Sequence, residues 1–462
     1  QRSIMPSQTA PRPSRFQPLD GTWFMPALFA LLLAPHLFFG PPNRWWTPLR
    51  FGMPRATSGD EPHYLVMLNS ILRDGDLDLR NNYDSALRGS NDAGAEHSRD
   101  PIEHHVGYYI GGQYVDWRQI FDARRPWVDD GRRIRFAHRP GATRLADDLP
   151  EYSIHPPGLP LILAALLWPV RQSERLESFA LVISGLVTCA AAWCFRRLLL
   201  DLGAAAGWAN ACTMLAFLAT PVWHYGRTLF GEPYLLFFGV FSYQAVLASR
   251  GREIARPLLA GIALGLGIMI KPPFALLAPS LGAFLLVGRR WRSLAFFSLP
   301  LASAVAATLA ANAIYFGSPF HPPQPWRTGN FWSGLFGLYT WWDKSLFLYA
   351  PAIVVPLAAW PRFARSAGVR ARVILGGFLP YASLMLLWEG WHGGYSYGPR
   401  LFIPLLPLIF AAAAAYPEAS SAPAIRPWAR RTVGFLVLFS FAVNAAAIVY
   451  FQGFWRGLPL LQ

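Results

Sequence analysis

The sequence predicts an all-α polytopic membrane protein with about eleven transmembrane helices and short juxtamembrane helices in a long first extracytoplasmic loop. Three observations carry this expectation. Of 462 residues, 53% are hydrophobic and 15% charged, with 19 Trp, 17 Tyr and 33 Phe. Lipid demands such apolar surface and water penalises it. Apolar runs also recur near the length that a bilayer core needs, about 20 residues. Finally, the net charge of +15 comes from arginines in short clusters between those runs, the pattern of loops that set topology. No single face or arm collects them, so nucleic acid is not an expected partner.

The first span runs from Thr22 to Gly40, with Arg2, Arg12 and Arg15 holding the preceding tail inside and Pro41-Pro42 ending it. Residues 42–177 form the first extracytoplasmic loop. Its many arginines, such as Arg124-Arg125 and Arg132-Arg133, do not oppose that placement, because the positive-inside rule weakens for long loops. Within it, Ser58-Gly59-Asp60-Glu61 has the form of a capping box, and Tyr64, Leu65, Leu68, Ile71 and Leu72 follow at helical spacing. Asp60 and Glu61 are thus expected in the first turn of a short helix along the membrane surface, stopping at Asp74-Gly75-Asp76. His155-Pro156-Pro157-Gly158 leads into an apolar run that ends at Trp168-Pro169, too short for a full crossing and read as re-entrant or interfacial.

Further spans are expected at 178–195, 207–223, 234–249, 257–272, 274–288, 293–313, 346–360, 373–388, 401–415 and 432–451. With residues 156–170 not crossing, every later arginine cluster falls inside and the C-terminus outside. Residues 1–462 read as one transmembrane domain with no separate soluble domain. Cys189, Cys194 and Cys212 lie in apolar runs without metal-ligand spacing, as small buried hydrophobes do.

The topology gathers Asp60, Glu61, His155, Arg227, Glu232, Lys271, Lys344 and the run Trp388–Arg400 at the outer face. Charges at a membrane rim are costly and call for a reason. Helix capping is one for Glu61 and Asp60; general-base chemistry at Asp60 is the other. A third reading, Asp60 and Glu61 ligating a divalent cation together, stays open, since hard cations take carboxylate oxygens. Asp74, Asp76 and Asp78 begin like a calcium loop, but Leu79 stands where Gly is required and Ser85 where Glu is. Arg227, Glu232 and Lys271 suit either a mutual ion pair or a phosphate site. In the last outer loop, Trp388, Trp391 and the glycines suit an aromatic belt or a sugar and headgroup surface, and Arg400 suits a lipid phosphate.

Gly59-Asp60-Glu61-Pro62-His63-Tyr64, His155-Pro156-Pro157-Gly158, Arg227-Thr228-Leu229-Phe230-Gly231-Glu232-Pro233 and Gly393-Gly394-Tyr395-Ser396-Tyr397-Gly398-Pro399-Arg400, in this order, resemble the GT-C class of integral-membrane glycosyltransferases. Within it they are similar to the branch of aminoarabinose and protein mannosyl transferases. The resemblance implies a polyprenyl-phosphate sugar donor, inversion at the anomeric carbon, and a glycan, lipid or protein acceptor. It implies a catalytic Asp60 with Glu61 beside it, and Arg227, Lys271 and Arg400 on the donor phosphate. His63, Tyr64, His155, Glu232, Trp391, His392, Tyr395 and Tyr397 would line the substrate. Related enzymes often carry Lys where this chain has His155. The implied setting is a bacterial inner membrane, with the site facing the periplasm. No cofactor is implied with certainty, and a divalent cation is left open. A transporter or flippase of a lipid-linked sugar, or a lipid-binding protein without chemistry, is the alternative. Against transport, no inverted repeat is visible and the charges sit at one face.

Overall fold

The computed structural model describes residues 23–39, 50–51, 60–79, 107–110, 113–116, 151–153, 155–173, 175–251, 253–316, 318–320, 326–394, 396–416 and 426–456. The eleven apolar runs all coincide with helical segments. They begin with α1 (Phe24–Leu33). After the polar loop come α4 (Leu176–Asp201), α5 (Ala206–Leu218), α6 (Glu232–Ala248), α7 (Ala255–Ile270), α8 (Ala278–Val287) and α9 (Trp291–Phe316). Then follow α11 (Val354–Ala367), α12 (Val369–Leu387), the mixed helical run Arg400–Ala415, and α13 (Pro427–Arg456). Between them α10 (Phe331–Thr340) packs on α12. Among the described residues, four helices are long and apolar enough to cross a membrane: α4, α9, α12 and α13. In α9 only 11% of the most apolar stretch is buried. Such an apolar, outward-facing helix needs lipid around it, and the chain is an integral membrane protein.

Two short helices lie inside the polar loop. In α2 (Glu61–Asn69), Tyr64, Leu65, Val66, Met67 and Leu68 are all buried, so every face is covered. This corrects the expectation of a helix lying along a surface: polar residues on either side in sequence hid a segment packed within the bundle. A wider turn, Ser70–Asp74, follows, and Gly75 at φ +81° closes it, a conformation that costs glycine little. The capping box does not form as expected. Asp60 is the N-cap but makes no side-chain cap bond, and Glu61 is the first helical residue; both carboxylates are engaged with distant segments. Ser58 and Gly59 lie outside the described residues.

The second short helix, α3 (Gly158–Leu167), has ten residues, about 15 Å at 1.5 Å per residue. That is half a bilayer core. It packs on α2 and α7. A Cβ on Gly158 would lie 2.2 Å from the Met269 carbonyl oxygen, so only glycine lets the start of α3 abut the end of α7. The same device joins α7 to α9, where a Cβ on Gly261 would meet the Phe297 carbonyl oxygen at 2.2 Å.

Strands are also present, at the end of the first span and within the loop, a departure from an all-α fold. β1 (Phe38–Phe39) pairs antiparallel with β2 (Arg50–Phe51). β3 (Gly107–Ile110) pairs antiparallel with both β4 (Gln113–Asp116) and β5 (Glu151–Ser153). The cause is local: aromatic and β-branched residues flank Gly111-Gly112 in the sequence, a hairpin signature.

Candidate active site

Four helix ends converge. The start of α2 carries Asp60 and the start of α6 carries Glu232. Lys271 stands where α7 breaks, in extended backbone at φ −144° before Pro272 and Pro273. Arg400 opens the run to Ala415, behind a loop in which Gly393, Gly394 and Gly398 all have positive φ.

The four side chains form one buried ion-pair chain. Lys271 Nζ donates to Glu232 Oε1 at 2.5 Å. Arg400 Nε donates to the same oxygen at 2.8 Å. Arg400 Nη2 donates to Asp60 Oδ2. The guanidinium carbon also lies 4.1 Å from the centre of the Phe230 ring, a cation–π contact. The Glu232 side chain is 1% exposed, Arg400 8%, Asp60 14% and Lys271 21%. Exposure therefore rises outward from Glu232, and the solvent-reachable ends are Asp60 and Lys271. Two acids and two cations balance, as buried charges must.

Glu61 turns elsewhere. Its Oε1 accepts the Leu229 backbone N–H at 2.7 Å, and Arg227 lies within electrostatic reach of it. The pair fixes the segment that leads to Phe230 and Glu232. Asp60 and Glu61 thus serve different partners, Arg400 and the Leu229 backbone. Among the described residues no group of three or more His, Cys, Asp or Glu could hold a metal ion.

His63 and His155 are both buried, with ring centres 5.3 Å apart, and Tyr64 meets His155 at 5.6 Å. The His155 backbone N–H donates to Ser153 Oγ at 3.1 Å, tying the Pro-Pro corner to β5. Tyr397 is buried at 2%, with its hydroxyl donated to Asn444 Oδ1 at 3.2 Å and its carbonyl accepting Tyr225 O–H at 2.9 Å. It braces the loop before Arg400 against α13. Trp391 is buried under α10, where a Cβ on Gly337 would come within 2.0 Å of its ring. His392 Nδ1 accepts the Gly394 N–H at 3.0 Å; burial, then the nearby Lys344 charge, moves its pKa down. Tyr395 lies outside the described residues.

Two residues not singled out from sequence as site residues matter here. Phe230 is one aromatic among 33 Phe, and only its position three residues after Arg227 in a charged motif marks it. From sequence, Lys344 is one of the charges expected at the outer face, with no role assigned to it. It is 3% exposed and donates to the carbonyls of Gly394 at 2.8 Å and Ser396 at 2.5 Å. Burial pushes its ammonium down to about 8.

No protein-family model and no curated protein matches the sequence. Among solved structures, ArnT from Cupriavidus metallidurans in the apo state aligns over 92% of this chain and 64% of its own, at 15% identity and a TM-score of 0.50. The same protein bound to undecaprenyl phosphate aligns over the same shares at 14% identity and a TM-score of 0.49. The archaeal oligosaccharyltransferase AglB from Archaeoglobus fulgidus, in complex with an inhibitory peptide and a dolichol-phosphate, aligns over 95% of this chain and 56% of its own, at 12% identity and a TM-score of 0.47. The chain spans less than two thirds of the length of each. The likeness to apo ArnT is one of fold, and the fold is that of the GT-C membrane glycosyltransferases.

Proposed function

We propose that the protein is an inverting glycosyltransferase that moves a sugar from a polyprenyl-phosphate carrier to an extracytoplasmic acceptor at the outer face of a bacterial inner membrane. The observation that carries this reading is the buried chain Asp60–Arg400–Glu232–Lys271. It sets a carboxylate beside two cations where four helix ends meet. The acceptor hydroxyl attacks the anomeric carbon, its oxygen forms the new glycosidic bond, and its proton passes to Asp60. The bond from the anomeric carbon to the phosphate oxygen breaks, and its electron pair leaves with the prenyl phosphate. That leaving group is an anion and needs cations rather than a proton. Lys271 and Arg400 are the cations of the cluster, while Arg227 lies with Glu61. Attack from the face opposite the phosphate inverts the anomeric centre, so no second nucleophilic carboxylate is required. Glu232 positions both cations.

The test is incubation of the purified full chain with a panel of prenyl-phosphate sugars. Release of prenyl phosphate, or sugar appearing on an acceptor, is the expected result. Movement of intact donor across a vesicle membrane without cleavage would mean a transporter instead.

A further inference from the structure

We propose that Arg400 is a two-seat latch on Asp60, moved from one seat to the other by an anionic lipid phosphate. The inference rests on the reading of Asp60 as the base, and deepens it by saying when that base becomes active.

A guanidinium binds a carboxylate best side-on, with Nε and Nη2 each donating to one of its two oxygens. Here only half of that fork is made. Nε reaches Glu232 Oε1 at 2.8 Å, while Nη2 is turned to Asp60 Oδ2. The other oxygen, Glu232 Oε2, is buried and has no hydrogen-bond partner among the described residues. A buried carboxylate oxygen without a donor is costly. The second seat for Nη2 is therefore built next to the first. The Nε bond and the Phe230 ring, 4.1 Å from the guanidinium carbon, are the pivot, so the exchange needs a turn of the guanidinium tip and no movement of a helix. Glu232 and Phe230 are positioning residues for this turn.

The first seat holds because Asp60, without a phosphate nearby, needs a counterion in a poorly solvated place. In that seat Asp60 is a weak base, since a paired cation favours its charged form. A lipid phosphate between Lys271 and Arg400 competes for the guanidinium and adds negative charge beside Asp60. Nη2 then closes the fork on Glu232, and Asp60 is left with a higher proton affinity beside the bound donor. The base is thus switched on by the donor, and an acceptor hydroxyl is activated only when there is a sugar to receive it.

The experiment labels Asp60 with a carbodiimide and an amine in the full chain reconstituted in nanodiscs, at a fixed mildly acidic pH, read by mass spectrometry. Carbodiimides react with protonated carboxyls, so labelling follows proton affinity. The probes are undecaprenyl phosphate and undecaprenol, with lipid binding measured in the same samples. Undecaprenyl phosphate should raise labelling of Asp60 about tenfold, the effect of one unit of proton affinity, and the alcohol should not. Arg400→Gln should show a raised level without lipid and a smaller further rise with it than the wild type shows, since only the direct charge of the phosphate is left to act. Bound undecaprenyl phosphate with unchanged or reduced labelling overturns the latch while leaving the transferase reading in place. No binding of undecaprenyl phosphate overturns both. If Arg400→Gln does not fold, the comparison of phosphate with alcohol in the wild type decides alone.

Discussion

Arg400 Nε and Glu232 Oε1 lie 2.8 Å apart across 168 residues of sequence. Since Lys271 donates to the same oxygen at 2.5 Å, Glu232 is the common anchor of both cations assigned to the donor phosphate. Removing one charge from a buried pair leaves the partner uncompensated, a loss on the order of 3 kcal/mol. Glu232→Gln should lower thermal stability by that order and raise the donor KM. Lys271→Met should cost less, because Glu232 keeps Arg400. Thermal unfolding in detergent and donor titration of both variants measure this.

Glu61 should separate stability from chemistry. Glu61→Ala strands the Leu229 N–H that Glu61 Oε1 accepts at 2.7 Å, a loss of about 1–3 kcal/mol. Glu61→Gln keeps an acceptor oxygen for Leu229 but removes the charge facing Arg227, so it should lose some stability while keeping turnover near wild type. A folded Glu61→Gln protein with no transfer activity would instead place Glu61 in the reaction.

Much of the frame was legible in the sequence. Each apolar run coincides with a helical segment, four of them long and apolar enough to cross a membrane, because lipid contact acts on local composition. The burial of α2 was not legible, since its cover comes from segments far away in the chain. Neither was the pairing of Asp60 with Arg400, 340 residues apart; sequence reading brought both to one face but could not say that they touch. The strands of the loop were legible in principle, in the alternation on either side of Gly111-Gly112, but the helical reading of the chain passed over them.

Gly398 sets where Arg400 stands. It has φ +57°, and a Cβ there would lie 3.2 Å from Tyr349 and 3.3 Å from Pro221. Gly398→Ala adds strain on the order of 1–2 kcal/mol and displaces the backbone leading to Arg400. Donor affinity should fall about tenfold, the equivalent of roughly 1.4 kcal/mol, as read by prenyl-phosphate binding.

Lys344 gives a pH signature. Its pKa is about 8 in the folded protein against 10.5 for an ordinary lysine. Between these values the unfolded chain binds more protons, so this lysine's penalty on stability is full below pH 8 and is relieved as pH rises toward 10.5. The total is on the order of 3 kcal/mol. The melting temperature of the wild type should therefore rise relative to Lys344→Met from pH 8 to 10. A constant difference across that range would contradict the assignment.

The most direct test of the account is single-turnover sugar transfer by Asp60→Asn, with folding checked by its melting temperature and donor binding measured separately. Loss of a general base predicts transfer slowed by about 10²–10⁴-fold in a protein that still binds the prenyl-phosphate donor. Transfer at the wild-type rate in that variant would remove Asp60 from the chemistry and leave its contact with Arg400 a purely structural ion pair.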